Sequence, residues 1–128
     1  AGLLLDPKVS FVEANLLDHD ATVGLGTDFE AIFHLAAIIG VRHVLKRPYD
    51  VLVQNTRMLD NVIALARHQA ACTRLLFAST SEIYAGTLEH FDLTVPTPEH
   101  TPLALSTLES PRTSYMLSKI MGESMVQH

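Results

Sequence analysis

Two short and almost uninterrupted apolar segments constrain the fold more than any other feature of this sequence. Residues 29–37 and 74–79 each have the length of a strand, and their hydrophobicity is nearly continuous. This pattern is typical of strands that are buried on both faces of a sheet. Between them, residues 48–70 repeat apolar side chains at helical spacing, with Pro48 suited to a first turn. Strands that alternate with helices predict a parallel α/β sheet.

The remaining segments complete this pattern. Residues 8–14 alternate and are rich in β-branched side chains, which predicts a further strand. Residues 15–28 are interpreted as a loop with a weak short helix, and residues 112–127 as a final helix after Pro111. The proline- and threonine-rich residues 80–111 predict a long ordered loop. A loop of that length inside a compact domain is usually functional.

Composition excludes several classes of function. The chain has 128 residues, 48% of them hydrophobic, which suffices for the core of one domain. Its net charge of −5 gives no attraction to nucleic acid, and no apolar run is long enough to span a membrane. A single cysteine, Cys72, and histidines without ligand spacing argue against a disulfide and a metal site. No signal peptide opens the sequence, so we expect a cytoplasmic protein.

Three short segments lie at the carboxyl ends of the predicted strands. Parallel α/β sheets bind their ligands at the carboxyl ends of the strands, so these segments are candidates for one site. The candidate residues are Asn15, Leu16, Leu35, Ala36, Ala37, Thr80, Ser81 and Glu82. Hydroxyls at a strand end can bind a substrate hydroxyl or carbonyl, and a glutamate can act as an acid or base.

The final predicted helix carries a tyrosine and a lysine four residues apart. Tyr115 and Lys119 therefore lie on one helix face. An ammonium group near a phenol stabilises the phenolate, which makes the pair a candidate proton-transfer unit. Taken alone, the same spacing also suits an exposed tyrosine beside a solvated lysine.

Together these motifs resemble the extended short-chain dehydrogenase/reductase family, which contains NAD-dependent nucleotide-sugar epimerases, dehydratases and decarboxylases. The resemblance covers residues 9–123 in order and spacing. The matching segments are residues 11–18, 34–37, 54–56, 79–84 and 115–119, followed by Gly122 and Glu123. Asn15 departs from the family pattern, because an aspartate usually contacts adenine at this position; an amide can still accept from the adenine amine.

The resemblance implies a role for each matching residue. Tyr115 would be the catalytic acid/base, Lys119 would bind the nicotinamide ribose, and Thr80 would bind the sugar hydroxyl that is oxidised to a transient keto-sugar. Ser81 and Glu82 would decide which reaction follows, and the Thr-Ser-Glu triplet looks more like UDP-glucuronate decarboxylases, in which Glu82 acts as acid/base. The implied NAD-binding residues are Asn15, Leu16, Leu35, Ala36, Ala37, Gln54, Asn55, Tyr115 and Lys119.

The resemblance also implies that residues 1–128 are a partial NAD-binding and catalytic domain. The expected fold is part of a Rossmann-like doubly wound parallel sheet, comprising strands three to five with their helices and truncated at both ends. The first two strands with their Gly-rich loop, and the C-terminal substrate domain, would be absent. In the strand order 3-2-1-4-5-6, residues 8–14 would then have no neighbouring strand, and strand four would present a bare apolar edge.

Several alternatives stay open at this point. A catalytically silent Rossmann-like NAD(P)-binding or sensor module would keep the sheet without the chemistry. Epimerisation, dehydration and decarboxylation all fit the family, and NADP is not excluded as the cofactor. Residues 39–47 lie where the family often builds a substrate-side loop, so Arg42 or His43 could meet a diphosphate or a sugar; a solvated basic turn is the alternative. The full-length enzyme is expected to be a homodimer through the helices at 48–70 and 112–127.

We predict that the gene encodes a Gly-rich fingerprint within about 60 residues upstream of Ala1, because the pyrophosphate of the cofactor needs close glycine backbone after the first strand. Sequencing the coding region upstream of Ala1 checks this. A natural start at Ala1, in a protein that still binds NAD, would contradict the expected truncation.

Overall fold

The sheet consists of two parallel strands with a long crossover between them. In the computed structural model, which describes residue 2 and residues 6–128, strand β1 (Ala31–His34) pairs with strand β2 (Arg74–Phe77) in parallel. The register places Ile32 opposite Leu75 and His34 opposite Phe77. The α/β class, the parallel sheet and the neighbourhood of these two strands are therefore as predicted.

The described residues also form five helices and one short 3₁₀ turn. They are α1 (His19–Val23), α2 (Val41–Lys46), α3 (Pro48–Arg67), the 3₁₀ turn (Ser81–Tyr84), α4 (Ala85–His90) and α5 (Pro111–Gln127). None of the described helices is both long and apolar enough to cross a membrane.

The core lies between the sheet and two long helices, α3 and α5, which pack side by side. Both begin with a proline in the first turn, where its fixed φ and missing N–H cost nothing. The buried side chains of α3 recur every three or four residues, at Val51, Asn55, Met58, Leu59, Asn61, Val62 and Leu65. This spacing turns one helical face towards β1 and α5.

Only one face of the sheet is covered by the described residues, which corrects the prediction that both strands are buried on both faces. Along each strand the side chains alternate between more and less exposed positions. Phe33 on β1 is 59% exposed and Leu76 on β2 is 41% exposed. The reason is that α3 and α5 both lie against the opposite face. Parallel sheets are normally covered on both faces, so this apolar surface is atypical of a finished domain.

The strand predicted at residues 8–14 is wrong. These residues form neither strand nor helix, and Phe11 and Val12 are 74% and 61% exposed. Their alternation suits a strand, but a strand also requires a ladder of hydrogen bonds to a neighbour. Among the described residues, the only pairing of β1 is with β2, and the segment has no such neighbour.

The loop predicted over residues 80–111 is wrong in its first third. The 3₁₀ turn and α4 occupy residues 81–90, and only residues 91–110 form a loop. Thr80 caps the 3₁₀ turn, because its Oγ1 accepts a hydrogen bond from the Glu82 N–H at 3.3 Å. The expected loop at 39–47 likewise contains helix α2. Helices α2 and α4 are both short, and a short helix contains too few apolar repeats to be recognised from the sequence.

Helix α4 holds the second half of the loop at residues 91–110 through hydrogen bonds. Thr87 is 5% exposed; its Oγ1 donates to the Pro102 carbonyl at 2.9 Å and accepts from the Ala104 N–H at 3.1 Å. The Ala104 backbone lies so close to Gly86 that a Cβ there would come within 2.1 Å of the Ala104 oxygen. The loop is therefore held by side-chain and backbone contact without secondary structure of its own.

Helix α5 approaches the sheet closely at Gly122. A Cβ at this position would lie 2.4 Å from Phe77 Cζ and 3.0 Å from Leu59 Cδ2. Glycine therefore lets α5 contact both β2 and α3 at one point.

We expect Gly122→Ala to lower the free energy of unfolding by about 1–2 kcal/mol, because the strain of overpacking outweighs the better helix propensity of alanine. Urea unfolding measures this. The control Ser124→Ala, at an exposed position on α5, should change stability by less than about 0.5 kcal/mol. A stabilised Gly122→Ala protein would show that α5 can move away from Phe77.

Candidate active site

Strands β1 and β2 end at the same edge of the sheet, and many of the predicted site residues lie in the segments that follow the two strands. Residues 35–40 follow β1, and residues 78–82 follow β2. Helix α5 contacts β2, α2 and the 3₁₀ turn, which brings its first half beside this edge. The segments after β1 and β2 lie side by side because parallel strands have their carboxyl ends at the same edge of the sheet.

Lys119 is a buried cation at this edge. It is 5% exposed, and its Nζ donates to the Ala78 carbonyl at 2.6 Å. The same Nζ lies 4.7 Å from the centre of the Phe77 ring and 5.8 Å from that of the Tyr115 ring. Aromatic faces attract cations, which offsets part of the cost of burial. Burial nevertheless lowers the pKa of Lys119 from its usual value of 10.5.

Tyr115 and Glu82 line the same cleft, which has a volume of about 310 Å³. One wall is apolar and comes from the β1–α2 connection and α2; the other is polar and comes from the 3₁₀ turn and α5. The lining residues are Ile39, Gly40, Val41, Val44, Leu45, Glu82, Arg112 and Tyr115. The polar wall thus presents a carboxylate, a guanidinium and a phenol to one small space. Such a group can bind a polar ligand and transfer protons to it.

Arg112 was not among the predicted site residues. It lies three residues before Tyr115 in the same helix, which places both on one face. The spacing of Arg112 and Tyr115 is visible in the sequence. The cleft that both residues line also needs α2 as its other wall, and that helix was not predicted from the sequence.

Thr80 and Ser81 build the turn that presents Glu82, but neither lines the cleft. Thr80 is half-buried and its hydroxyl caps the turn; Ser81 is exposed. Their contacts with a sugar stay predictions.

The segment after β1 is partly exposed and is held by hydrogen bonds from α3. Leu35 is 68% exposed, Ala36 is exposed, and Ala37 is half-buried. Gln54 lines a second cleft, of about 380 Å³, together with Ala37 and Ile38. Asn55 instead faces inward, where its side chain bonds to the Ile38 backbone.

Leu16 is held in place by α3, and Asn15 bonds within its own turn. The Asn15 side chain accepts from the Leu17 N–H at 3.1 Å, and the Leu16 carbonyl accepts from Asn61 Nδ2 at 2.8 Å. Asn15 is exposed. Its contact with adenine stays a prediction.

Arg42 and His43 do not line the cleft that contains Tyr115. With Lys46 and Arg47 they surround a separate surface cleft of about 280 Å³ on α2. All four are exposed, as in the alternative of a solvated basic segment.

His34 lies beneath the site at the end of β1. It is 5% exposed and stacks on Phe77, with ring centres 6.0 Å apart. Its pKa is lowered from the usual 6.5, first by burial and then by the positive charge of Lys119.

Comparison with known proteins now decides the family. The model of the NAD dependent epimerase/dehydratase family matches residues 3–128. This chain belongs to that family. The family expected from the motifs is thereby confirmed.

Two curated decarboxylases are similar to the chain. A UDP-N-acetyl-alpha-D-glucosaminuronate decarboxylase of Bacillus cytotoxicus is 28% identical over 80 residues, which are 62% of this chain and 24% of that protein. A UDP-glucuronic acid decarboxylase 1 of Danio rerio is 36% identical over 69 residues, which are 54% of this chain and 16% of that protein. The chain therefore spans a quarter or less of these relatives' length.

Two solved structures share its fold. A crystal structure of UDP-galactose 4-epimerase superposes with a TM-score of 0.70 at 26% identity, covering 94% of this chain and 36% of the other. An NAD-dependent NDP-hexosamine 5,6-dehydratase gives a TM-score of 0.65 at 26% identity, covering 96% and 37%. The Rossmann-like fold class is thereby confirmed, and the chain accounts for part of it.

Because the pKa of His34 is lowered in the folded protein, the unfolded chain binds a proton more readily below pH 6.5. Stability should therefore fall as the pH drops below 6.5, and His34→Gln should reduce this loss. Urea unfolding on both sides of that pH measures the difference. The exposed His100→Gln variant should keep the wild-type pH dependence; equal slopes for both variants would contradict the assignment to His34.

Proposed function

We propose that this chain is the catalytic middle of a longer, cytoplasmic enzyme that uses NAD to decarboxylate a nucleotide-activated uronic acid. The observation that carries the proposal is the shared cleft of Glu82, Arg112 and Tyr115. A substrate with both an oxidisable hydroxyl and a carboxylate matches this set of groups. The similarity to two decarboxylases of nucleotide-activated uronic acids supports the same choice.

The first step removes two hydrogens from the sugar. Tyr115 accepts the proton of the sugar hydroxyl, and the buried charge of Lys119 stabilises the phenolate that acts as base. When bound, NAD would supply the acceptor for the hydride that leaves the same carbon. Thr80, directly before the turn that carries Glu82, is proposed to hold the sugar hydroxyl during this step.

The second step breaks a carbon–carbon bond. Oxidation beside the carbon that bears the carboxylate yields a β-keto acid, whose carbon dioxide leaves while the ketone takes up the electron pair as an enolate. Arg112 is positioned to orient the carboxylate through charge-assisted hydrogen bonds. Glu82, after taking up a proton from solvent, then delivers it to the carbon that carried the carboxylate, and Ser81 is proposed to orient the sugar beside it.

The residues at the sheet edge would hold the nicotinamide half of the cofactor. The Ala78 carbonyl accepts a hydrogen bond from one N–H of the Lys119 ammonium, and ribose hydroxyls can accept from the other two N–H groups. The small residues Ala36 and Ala37, together with Leu35 and Gln54, would border the ribose and phosphates. Asn15 and Leu16 would contact the adenine end. NADP would fit the same residues.

The uncovered face of the sheet supports the proposed larger enzyme. Phe33 and Leu76 form an apolar surface that a second layer of helices would bury. We propose that other parts of the full-length enzyme supply this layer, the Gly-rich loop and the substrate domain.

We expect the full-length protein, incubated with NAD and a panel of UDP-, GDP- and dTDP-sugars, to release carbon dioxide from UDP-glucuronate. Tyr115→Phe should slow turnover by about 10²–10⁴-fold, because it removes the group that accepts the proton. Carbon dioxide capture and mass spectrometry measure both results. Mass-neutral conversion would support epimerisation, loss of water would support dehydration, and a wild-type protein that binds NAD without turnover would indicate a silent binding module.

We further propose that the full-length enzyme is a homodimer through α3 and α5. A groove of about 560 Å³ runs between these helices, lined mainly by apolar side chains. Its residues are Leu52, Val53, Thr56, Arg57, Asp60, Met121 and Met125. A two-fold interface pairs a patch with itself, and this patch carries both signs of charge, so Arg57 of one copy can meet Asp60 of the other.

Met121→Glu should shift the full-length enzyme towards monomers, because Met121 is 45% exposed and would bring a carboxylate into the apolar groove. Sedimentation velocity measures the shift. Leu88→Glu is the matched control, since Leu88 is 66% exposed and lies outside the groove. A monomeric wild type, or a Met121→Glu protein that remains dimeric, would contradict this interface.

A further inference from the structure

One wall of the cleft that holds Tyr115 consists of exposed aliphatic side chains. Ile39, from the connection after β1, and Val41 and Leu45, from α2, are 61%, 62% and 50% exposed and line this cleft. Val44, on the same helix, is buried. Single exposed aliphatic side chains are common on proteins, but three on one wall of a ligand cleft mark a surface that an apolar group covers.

In the proposed function, NAD does not account for this wall. Ala37 and Gln54, which would border the ribose and phosphates of the cofactor, line the second cleft and not the one that holds Tyr115. Val41 and Leu45 line the first cleft and not the second. The group that covers them therefore belongs to the sugar.

The chemistry of decarboxylation determines which part of the sugar reaches the wall. Carbon dioxide leaves readily when a ketone is β to the carboxylate, so the oxidised hydroxyl is on C4 of the sugar ring and the carboxylate is on C5. With these two groups at Tyr115 and Arg112, the C4–C5 edge of the ring faces the polar wall of the cleft. C1 and C2 form the opposite edge, and C1 carries the nucleotide. The substituent on C2 therefore faces Val41 and Leu45.

We propose that the substrate carries an acylamino group on C2, such as acetamido, and that its methyl group packs on the apolar wall. This inference rests on the proposed function, because the carboxylate and the oxidised hydroxyl set the orientation of the sugar. A hydroxyl on C2 would lose water against Val41 and Leu45 and gain no partner from their side chains. The methyl group of an acetamido substituent instead buries aliphatic surface there.

Gly40 provides for the polar part of such a substituent. Its carbonyl accepts from the N–H groups of His43 and Val44, whereas its own N–H has no backbone acceptor among the residues that the structure describes. A Cβ at Gly40 would have nothing within 4 Å, so the wall is open beside it. The acyl carbonyl can accept from this N–H while the methyl group contacts the aliphatic side chains.

Two uronic acid substrates that differ only on C2 test the inference in the full-length enzyme with NAD. We expect kcat/KM for UDP-N-acetylglucosaminuronate to exceed that for UDP-glucuronate about tenfold, because a small apolar group in an apolar pocket changes specificity by about 10–200-fold. Carbon dioxide release over a series of substrate concentrations measures both values. Equal values, or a preference for UDP-glucuronate, would overturn the inference and leave decarboxylation intact.

The double variant Val41→Thr/Leu45→Asn keeps the size of both side chains but makes the wall polar. We expect the preference to fall to within about twofold, through a loss of kcat/KM for the acetamido substrate. The control Leu88→Asn/Val95→Thr makes the same exchanges at positions that are 66% and 83% exposed and lie outside the cleft, so it should keep the wild-type preference. An unchanged preference in the first variant, or an equal loss in both, would contradict the role of the wall.

Binding measurements distinguish failure of the inference from failure of the proposed function. UDP-N-acetylglucosamine and UDP-glucose differ by the same group on C2 and have no carboxylate, so isothermal titration of the NAD-loaded enzyme tests the wall without decarboxylation. If neither uronic acid loses carbon dioxide, the proposed function falls. A Kd about tenfold lower for UDP-N-acetylglucosamine, lost in Val41→Thr/Leu45→Asn alone, would then still support the acyl subsite. Equal Kd values in that case would overturn both.

Discussion

The close approach of α5 to β2 is the contact on which the site depends. Because Gly122 has no side chain, the helix can rest on Phe77, at the last position of the strand. Lys119 lies three residues earlier on the same helical face, so the approach carries its ammonium over the Phe77 ring and to the Ala78 carbonyl. Tyr115, one further turn away, then faces the cleft. A glycine required for packing thus determines where two chemically active side chains lie.

The sequence predicts those parts of the molecule whose signals are local. The long helix from Pro48, the helix from Pro111 and the two apolar strands were predictable because each contains its own periodicity or boundary residue. The strand at 8–14 was not, since its existence depends on a neighbour that the residues themselves do not reveal. The same distinction applies to the site: Tyr115 and Glu82 come from motifs, whereas the cleft they share arises from the packing of a short, unpredicted helix.

Three buried amides, two on α3 and one just after its end, show that the direction of a side chain is also not predictable from the sequence. Asn55, Asn61 and Gln69 are all buried, and each bonds backbone in a segment without regular structure. Their residue types suggest ligand contacts as readily as structural bonds, and only the direction of each side chain decides between them. In this fold, α3 acts as a scaffold from which irregular segments on the amino and carboxyl sides of β1 are held in place.

The contact of Thr87 with Pro102 and Ala104 divides the long loop into two parts. Residues 91–101 connect α4 to this contact, which anchors the loop, and residues 105–110 lead directly into α5. Because this anchor precedes residues 105–110, we expect changes of length or composition in residues 91–98 to leave the entry to α5 undisturbed. The outer part of the loop can therefore differ in sequence among relatives, and new segments can be inserted into it, without a change in the position of α5.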